Sequence, residues 1–177
     1  VRYRGVEGVS PRLQRLIDTL DASPALIKTA TWDVVAWNRA AQVVLTDYSA
    51  LPAGQRNILR FMFLSPHVRA KQHDWQNLAR FVVGAFRAGA VSEVAQLVDE
   101  LCSVSPEFAA LWRENDVLSH GDGTKRLKHP ELGDIELEYS GFAVDGRPDL
   151  SLTVYNPVDS AVADRIRALA LARHPKE

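Results

Sequence analysis

The chain has 177 residues, 46% hydrophobic and 24% charged, which is enough for one domain with a sizeable core. Its 21 basic and 22 acidic side chains leave a formal net charge of −1, so no global field draws it to nucleic acid or to an anionic membrane. One cysteine, Cys102, excludes an internal disulfide and a cysteine-based metal cluster and fits a reducing cytoplasm, while no apolar run nears the ~18 residues that suggest a membrane span.

The chain begins at Val1 rather than Met, so a segment upstream is expected. Ser10-Pro11 predicts a helix start, with Ser as cap and Pro at the first helical position, and Leu13, Leu16, Ile17 and Leu20 fall on one face. This helix, over 11–20, is expected either to pack on a sheet or to lead in from an upstream domain. Residues 25–29 and 32–37 then read as a tight hairpin. Trp32, Val34, Val35 and Trp37 suit a pleated surface, whereas Arg39, Ala40, Ala41 and Gln42 are good helix formers. Asn38 stands between them, where an N-cap belongs.

After the turn-rich Leu51-Pro52-Ala53-Gly54 the pattern is helical for some sixty residues. Residues 57–63 are densely apolar around Arg60, a charge that needs a partner. Ser65-Pro66 restarts a short helix, and Asp74 can cap a longer one bearing Trp75, Leu78, Val82, Ala85, Phe86 and Gly89. Ser92 is the expected cap of a helix with Val94, Leu97, Val98, Leu101 and Cys102, and Ser105-Pro106-Glu107 opens another with Phe108, Leu111 and Trp112.

Beyond Asn115 the period drops to two. Residues 125–128 read as a strand, 129–133 as a turn, and Ile135, Leu137 and Tyr139 alternate with Asp134, Glu136 and Glu138. The alternation slips at Ser140-Gly141, which suggests a bulge. Asp145-Gly146 marks a turn, Leu150, Leu152 and Val154 a last strand, and Val162, Ile166 and Leu169 a closing helix over 160–172. The pattern predicts a single α+β domain over 1–177, with an antiparallel sheet of about five strands covered on one face by helices.

Little of this suggests catalysis. Cys102 lies on an apolar helical face, and the five histidines, His67, His73, His120, His129 and His174, include no i, i+4 pair enclosing a glutamate, so no catalytic residue and no metal ligand is nominated. The run from His120 to Lys125 reads as a hairpin turn rather than a phosphate loop, and Asp134, Glu136 and Glu138 as a solvated strand face. Aromatic residues are the less ordinary feature. Helices roofing one sheet face can enclose an apolar cavity, and Trp37, Arg60, Phe61, Trp75, Leu78, Val82, Tyr139, Phe142 and Tyr155 are its expected ligand-binding residues. Arg60 either pairs with an acid of the protein or meets an acidic ligand, with Tyr155 and His129 behind it in that role.

Taken together, residues 32–41, 55–60, Asp74-Trp75, Ser105-Pro106-Glu107-Phe108 with Leu111-Trp112, and 125–133 resemble the C-terminal ligand-binding domain of the MmyB-like transcription regulators. The resemblance runs from about Pro11 to Asn156. It implies a PAS-like fold that follows an XRE-type helix-turn-helix, and a small apolar or fatty-acid-like effector held inside, with no other cofactor. The expected protein is a cytoplasmic homodimer, without a membrane partner, that reaches DNA only through an upstream domain. Where the family usually has His-Asp-Val after the last tryptophan, this chain has Asn115-Asp116-Val117, so that histidine's role is not carried over. The rival readings are a small enzyme using the same cavity and a filled dimerisation module.

Overall fold

The computed structural model describes residues 8–72, 74–88, 94–114 and 122–173. Helix α1 (Pro11–Asp18) is followed by β1 (Ala25–Thr29), β2 (Val34–Trp37) and α2 (Arg39–Val44). A block of five helices follows: α3 (Ile58–Leu64), α4 (Pro66–Lys71), α5 (Trp75–Ala88), α6 (Ala95–Val104) and α7 (Pro106–Arg113). Strands β3 (Asp122–His129), β4 (Gly133–Val144) and β5 (Arg147–Pro157) precede α8 (Ser160–Arg173). The five strands form one antiparallel sheet in the order β2-β1-β5-β4-β3, an α+β fold as expected.

The cap residues act as their chemistry predicts. Ser10 Oγ accepts from Leu13 N at 3.3 Å at the start of α1, and Ser105 Oγ from Phe108 N at 3.2 Å at the start of α7. Ser92, the expected cap ahead of α6, lies outside the described residues, as does Asn115. Asn38 does more than cap. Its Oδ1 accepts from Ala41 N at 2.9 Å and from Ala25 N at 3.0 Å, while Nδ2 donates to the carbonyls of Ile17, Leu20 and Ser23 at 2.9, 3.0 and 2.9 Å. One buried amide thus joins the end of α1, the first residue of β1 and the start of α2. Asn57 plays a similar part for α3: its Oδ1 accepts from Arg60 N at 3.1 Å, and its Nδ2 donates to Thr31 O and Asp33 Oδ1 at 2.8 and 3.0 Å.

Register fixes which side chains share a face, because neighbours along a strand point to opposite sides. Leu26, Trp37 and Thr153 lie on one face, and Tyr139 and Tyr155, paired across β4 and β5, continue it. This inner face is the one under most of the helices. Helices α2 and α8 cover Leu127, Ile135 and Leu137, burying Val43, Val44, Ile166 and Ala170 against them. The five-helix block has its own core around Leu59, Val83, Phe86, Leu101 and Phe108. The outer face, with Ala25, Ile27 and Val154, is covered at this end by α1, whose Ile17 is fully buried there. Among the described residues no helix is long and apolar enough to cross a membrane.

Three local expectations are corrected. Trp32 belongs to the β1–β2 turn rather than to β2, in the left-handed region at φ 62°. Pairing runs unbroken through Ser140 and Gly141, opposite Val154 and Thr153, and the irregularity falls instead between Ala143 and Val144. The slip in hydrophobic pattern therefore reflects a change in which face carries apolar residues, not a bulge. Finally, residues 122–124, expected in a hairpin turn, are already strand, so that β3 begins at Asp122, opposite Ser140, ahead of the strand expected from Lys125; His120 and Gly121 lie outside the described residues.

Candidate functional site

Phe81 of α5 approaches the sheet at Tyr139, ring centroids 5.9 Å apart, and Tyr139 in turn lies 5.9 Å from Tyr155. The space for the Tyr139 ring comes from its cross-strand partner, Gly123: a Cβ there would stand 2.6 Å from Cζ of the ring, closer than atoms can approach. Trp37 is half-buried on the same face, 5.6 Å from the Tyr48 ring, with the Arg56 guanidinium 5.1 Å over its own ring. Burial pushes the Tyr48 hydroxyl up to about 12, and burial together with the neighbouring Tyr48 and Tyr139 raises that of Tyr155 further. These phenols stay neutral hydrogen-bonding groups at physiological pH.

Two lysines enter the same face. Lys28, opposite Val34 of β2 and Ser151 of β5, is only 5% exposed, and burial lowers its ammonium to about 8. It rests 4.0 Å above the Trp32 ring, which packs edge-on against Phe86 at 5.7 Å. Lys125, at the far end on β3, reaches to within 5.6 Å of the Tyr155 ring, and desolvation lowers it to about 8 as well. Neither lysine was nominated from the sequence. The signal available was Lys28 itself, one charge in the strand Ala-Leu-Ile-Lys-Thr, whose first four residues are buried.

The other nominated residues separate. Trp75, Leu78 and Val82 pack into the helical block, with Trp75 5.4 Å from Phe63 and its Nε1 donating to Met62 O at 3.3 Å. Phe61 is half-buried on α3. Arg60 is held bidentately by Glu100 of α6, Nε at 3.0 Å and Nη2 at 2.6 Å, with its side chain 33% exposed; that hydrogen-bonded pairing raises its pKa. Phe142 is 52% exposed and falls on the outer face, because the strand continues without the expected bulge. His129 is a fastening rather than a free group. Its Nδ1 accepts from the backbone N–H of Glu131 and Leu132, both at 3.1 Å, so Nε2 carries the proton and donates to Val43 O at 2.7 Å.

Clefts open at the surface among the described residues, two of them large enough to compare. One, of about 310 Å³, lies beside α1 and is lined by Leu13, Leu16, Val144, Arg147 and Leu150 among others. The other, of about 230 Å³, is polar and lined by Thr31, Asp33, Asn57, Arg60 and Glu100 with Gln96 and Leu97. In the second, the polar groups already bond one another, as the contacts of Asn57 and Arg60 show. Among the described residues no cluster of His, Cys, Asp or Glu is placed to hold a metal ion, and Cys102 is a free, half-buried thiol against the helical core.

A sequence model of the MmyB-like transcription regulator ligand binding domain matches residues 9–169. The chain belongs to this family. As an MmyB-like ligand-binding domain it is a ligand-sensing part of a transcription regulator, consistent with a sheet whose inner face carries paired tyrosines and a buried lysine. No curated protein matches the chain.

Proposed function

We propose that the chain is a single sensory domain that binds a fatty-acid-like effector on the inner sheet face and reports its occupancy to an upstream helix-turn-helix in a cytoplasmic, homodimeric regulator. The observation that carries this is the family match over residues 9–169. The inner face supports it physically. Thr153 and Gly141, cross-strand partners, put small side chains on the floor, and the Tyr139, Tyr155 and Phe81 rings provide an apolar wall with polar edges. The role is sensing rather than catalysis, and contact with DNA belongs to the upstream domain. Native mass spectrometry of the regulator purified from cells tests the reading directly. The expected result is a co-purified apolar ligand, with affinity for a series of fatty acids rising by up to ~0.8 kcal/mol per buried CH₂ until the space is full. Binding that shows no dependence on chain length would remove the lipid-sensor reading.

A further inference from the structure

We infer that Lys28 recognises the charge of the effector, so that the effector carries an anionic head, a carboxylate in the simplest case, bound over β1 beside Trp32. This rests on the reading of the inner face as the ligand site. Placing an ammonium in a strand whose first four residues are all buried is unfavourable unless something compensates its charge. Cations nearer the surface, Arg60 and Arg126, each hold a carboxylate, Glu100 and Glu136. Among the described residues Lys28 has no carboxylate, and its neighbour is the Trp32 ring at 4.0 Å. A ring face steadies an ammonium from one side and leaves N–H donors directed elsewhere.

The placement of that ring is itself costly. Trp32 sits at φ 62°, a left-handed conformation unfavourable for a bulky residue, and its ring is locked against Phe86. The turn thus holds an aromatic platform under the lysine. Small residues continue the same sheet face from Lys28: Ser151 lies across from it on β5 and Ala143 beyond on β4, with Thr153 and Gly141 one step along. Gly141 and Ala143 are exposed, which gives this floor an opening to solvent on the β4 side. An acyl chain laid along the floor from Lys28 runs toward Tyr139 and Tyr155, with its carboxylate at the Lys28 ammonium.

The test is calorimetry on the whole chain with three probes of equal length, dodecanoate, dodecan-1-ol and dodecyltrimethylammonium. Wild type should prefer dodecanoate. Lys28→Met, which keeps the volume and removes the charge, should weaken dodecanoate at least tenfold, change dodecanol by less than twofold, and bind the cationic probe better than wild type does. Lys28→Gln should behave alike, and Lys125→Met should leave the ratio of dodecanoate to dodecanol unchanged. Equal effects on all three probes, no effect on any, or the same shift from Lys125→Met would overturn the assignment of Lys28 while leaving the sensor reading intact. Failure of wild type to bind any of the three would overturn both.

Discussion

Two cations meet the β1–β2 turn in opposite circumstances. Arg60 leaves α3 at a polar cleft shared with Thr31 and Asp33, and its Nε and Nη2 are taken by Glu100. Lys28 sits on the inner sheet face, almost wholly buried, with an aromatic ring for company. In sequence Arg60 is the more conspicuous of the two, a charge amid Ile, Leu, Phe and Met. The difference shows that apolar neighbours in the chain do not measure desolvation. A helix turns successive residues through all directions, so Arg60 can be carried outward to another helix's carboxylate, whereas a strand in the middle of a roofed sheet gives Lys28 only two directions, and one of them is the interior.

Both placements require β1 to be fixed, and the largest expected effect comes from releasing it. Asn38→Ala removes five hydrogen-bond contacts around a buried site, taking the side-chain partner from the Ala25 and Ala41 N–H groups and the Ser23 carbonyl, while the Ile17 and Leu20 carbonyls keep backbone donors. At the usual net contribution of each such bond, the loss should be roughly 3 to 5 kcal/mol, read as a fall in the urea midpoint. A loss of only about 1 kcal/mol, the value for an ordinary helix cap, would mean that α1 and β1 hold their places without it.

The next effect has the opposite sign. With its folded-state value lowered from 10.5 to about 8, Lys28 binds its proton less tightly in the folded chain than in the unfolded one. Below pH 8 both states are protonated and the penalty is complete; between pH 8 and 10.5 the unfolded state holds more protons, so stability rises with pH. The shift corresponds to roughly 3 kcal/mol. Lys28→Met should therefore stabilise the empty protein at pH 7 by up to about that amount and reduce the rise toward pH 10. Part of the rise remains, because Lys125 is lowered in the same direction. Above pH 10 the slope reverses, since Tyr48, raised to about 12, keeps its proton in the folded chain after the unfolded phenol has lost it. Urea midpoints at one-unit intervals from pH 7 to 11 check all of this, and a flat profile up to pH 10 would show that Lys28 is solvated.

The floor itself provides the third test. Gly123→Ala places a methyl group 2.6 Å from Cζ of the Tyr139 ring, so the ring must shift from its place between Phe81 and Tyr155. The expected loss is about 1 to 3 kcal/mol, as for other overpacked sites, with a change in tyrosine fluorescence. An unchanged midpoint would mean that the ring has another place to go, and so that the floor is more open than its contacts suggest.

Much of the fold was legible because its signals are local. Ser10, Asn38 and Ser105 cap the helices they precede, Ser65-Pro66 restarts one, and Gly133 and Gly146 take the positive φ values of 71° and 76° in the turns where they were expected. The site was less legible because it depends on which face each strand turns inward. Tyr139 and Tyr155 were nominated and do share the inner face. Phe142 was also nominated, but its position depends on a bulge that the strand does not make. Lys28, Tyr48 and Gly123 were missed for a related reason: a buried lysine, a tyrosine in a loop and a glycine in a polar run are all ordinary in sequence, and only strand pairing shows that they meet one surface.

The smallest expected effect returns to Arg60. Its pair with Glu100 has good bidentate geometry, but the two side chains are 33% and 43% exposed, so water competes for both charges and the net contribution should lie within about 1 kcal/mol. Arg60→Ala should lower the urea midpoint slightly, and raised salt should diminish the difference, since screening already weakens an exposed pair in the wild type. Its effect on ligand selectivity should be nil: the ratio of dodecanoate to dodecanol affinity is expected to match wild type, because the guanidinium charge is already met by Glu100 and the group lines a polar cleft rather than the inner sheet face. Double substitution with Glu100→Ala sharpens the point, for the second change should cost little once the first is made. If Arg60→Ala instead reduced dodecanoate binding selectively, the guanidinium would have to exchange Glu100 for the ligand, and the contrast between a surface cation paired with a carboxylate and a buried one without a carboxylate would fail at its paired end.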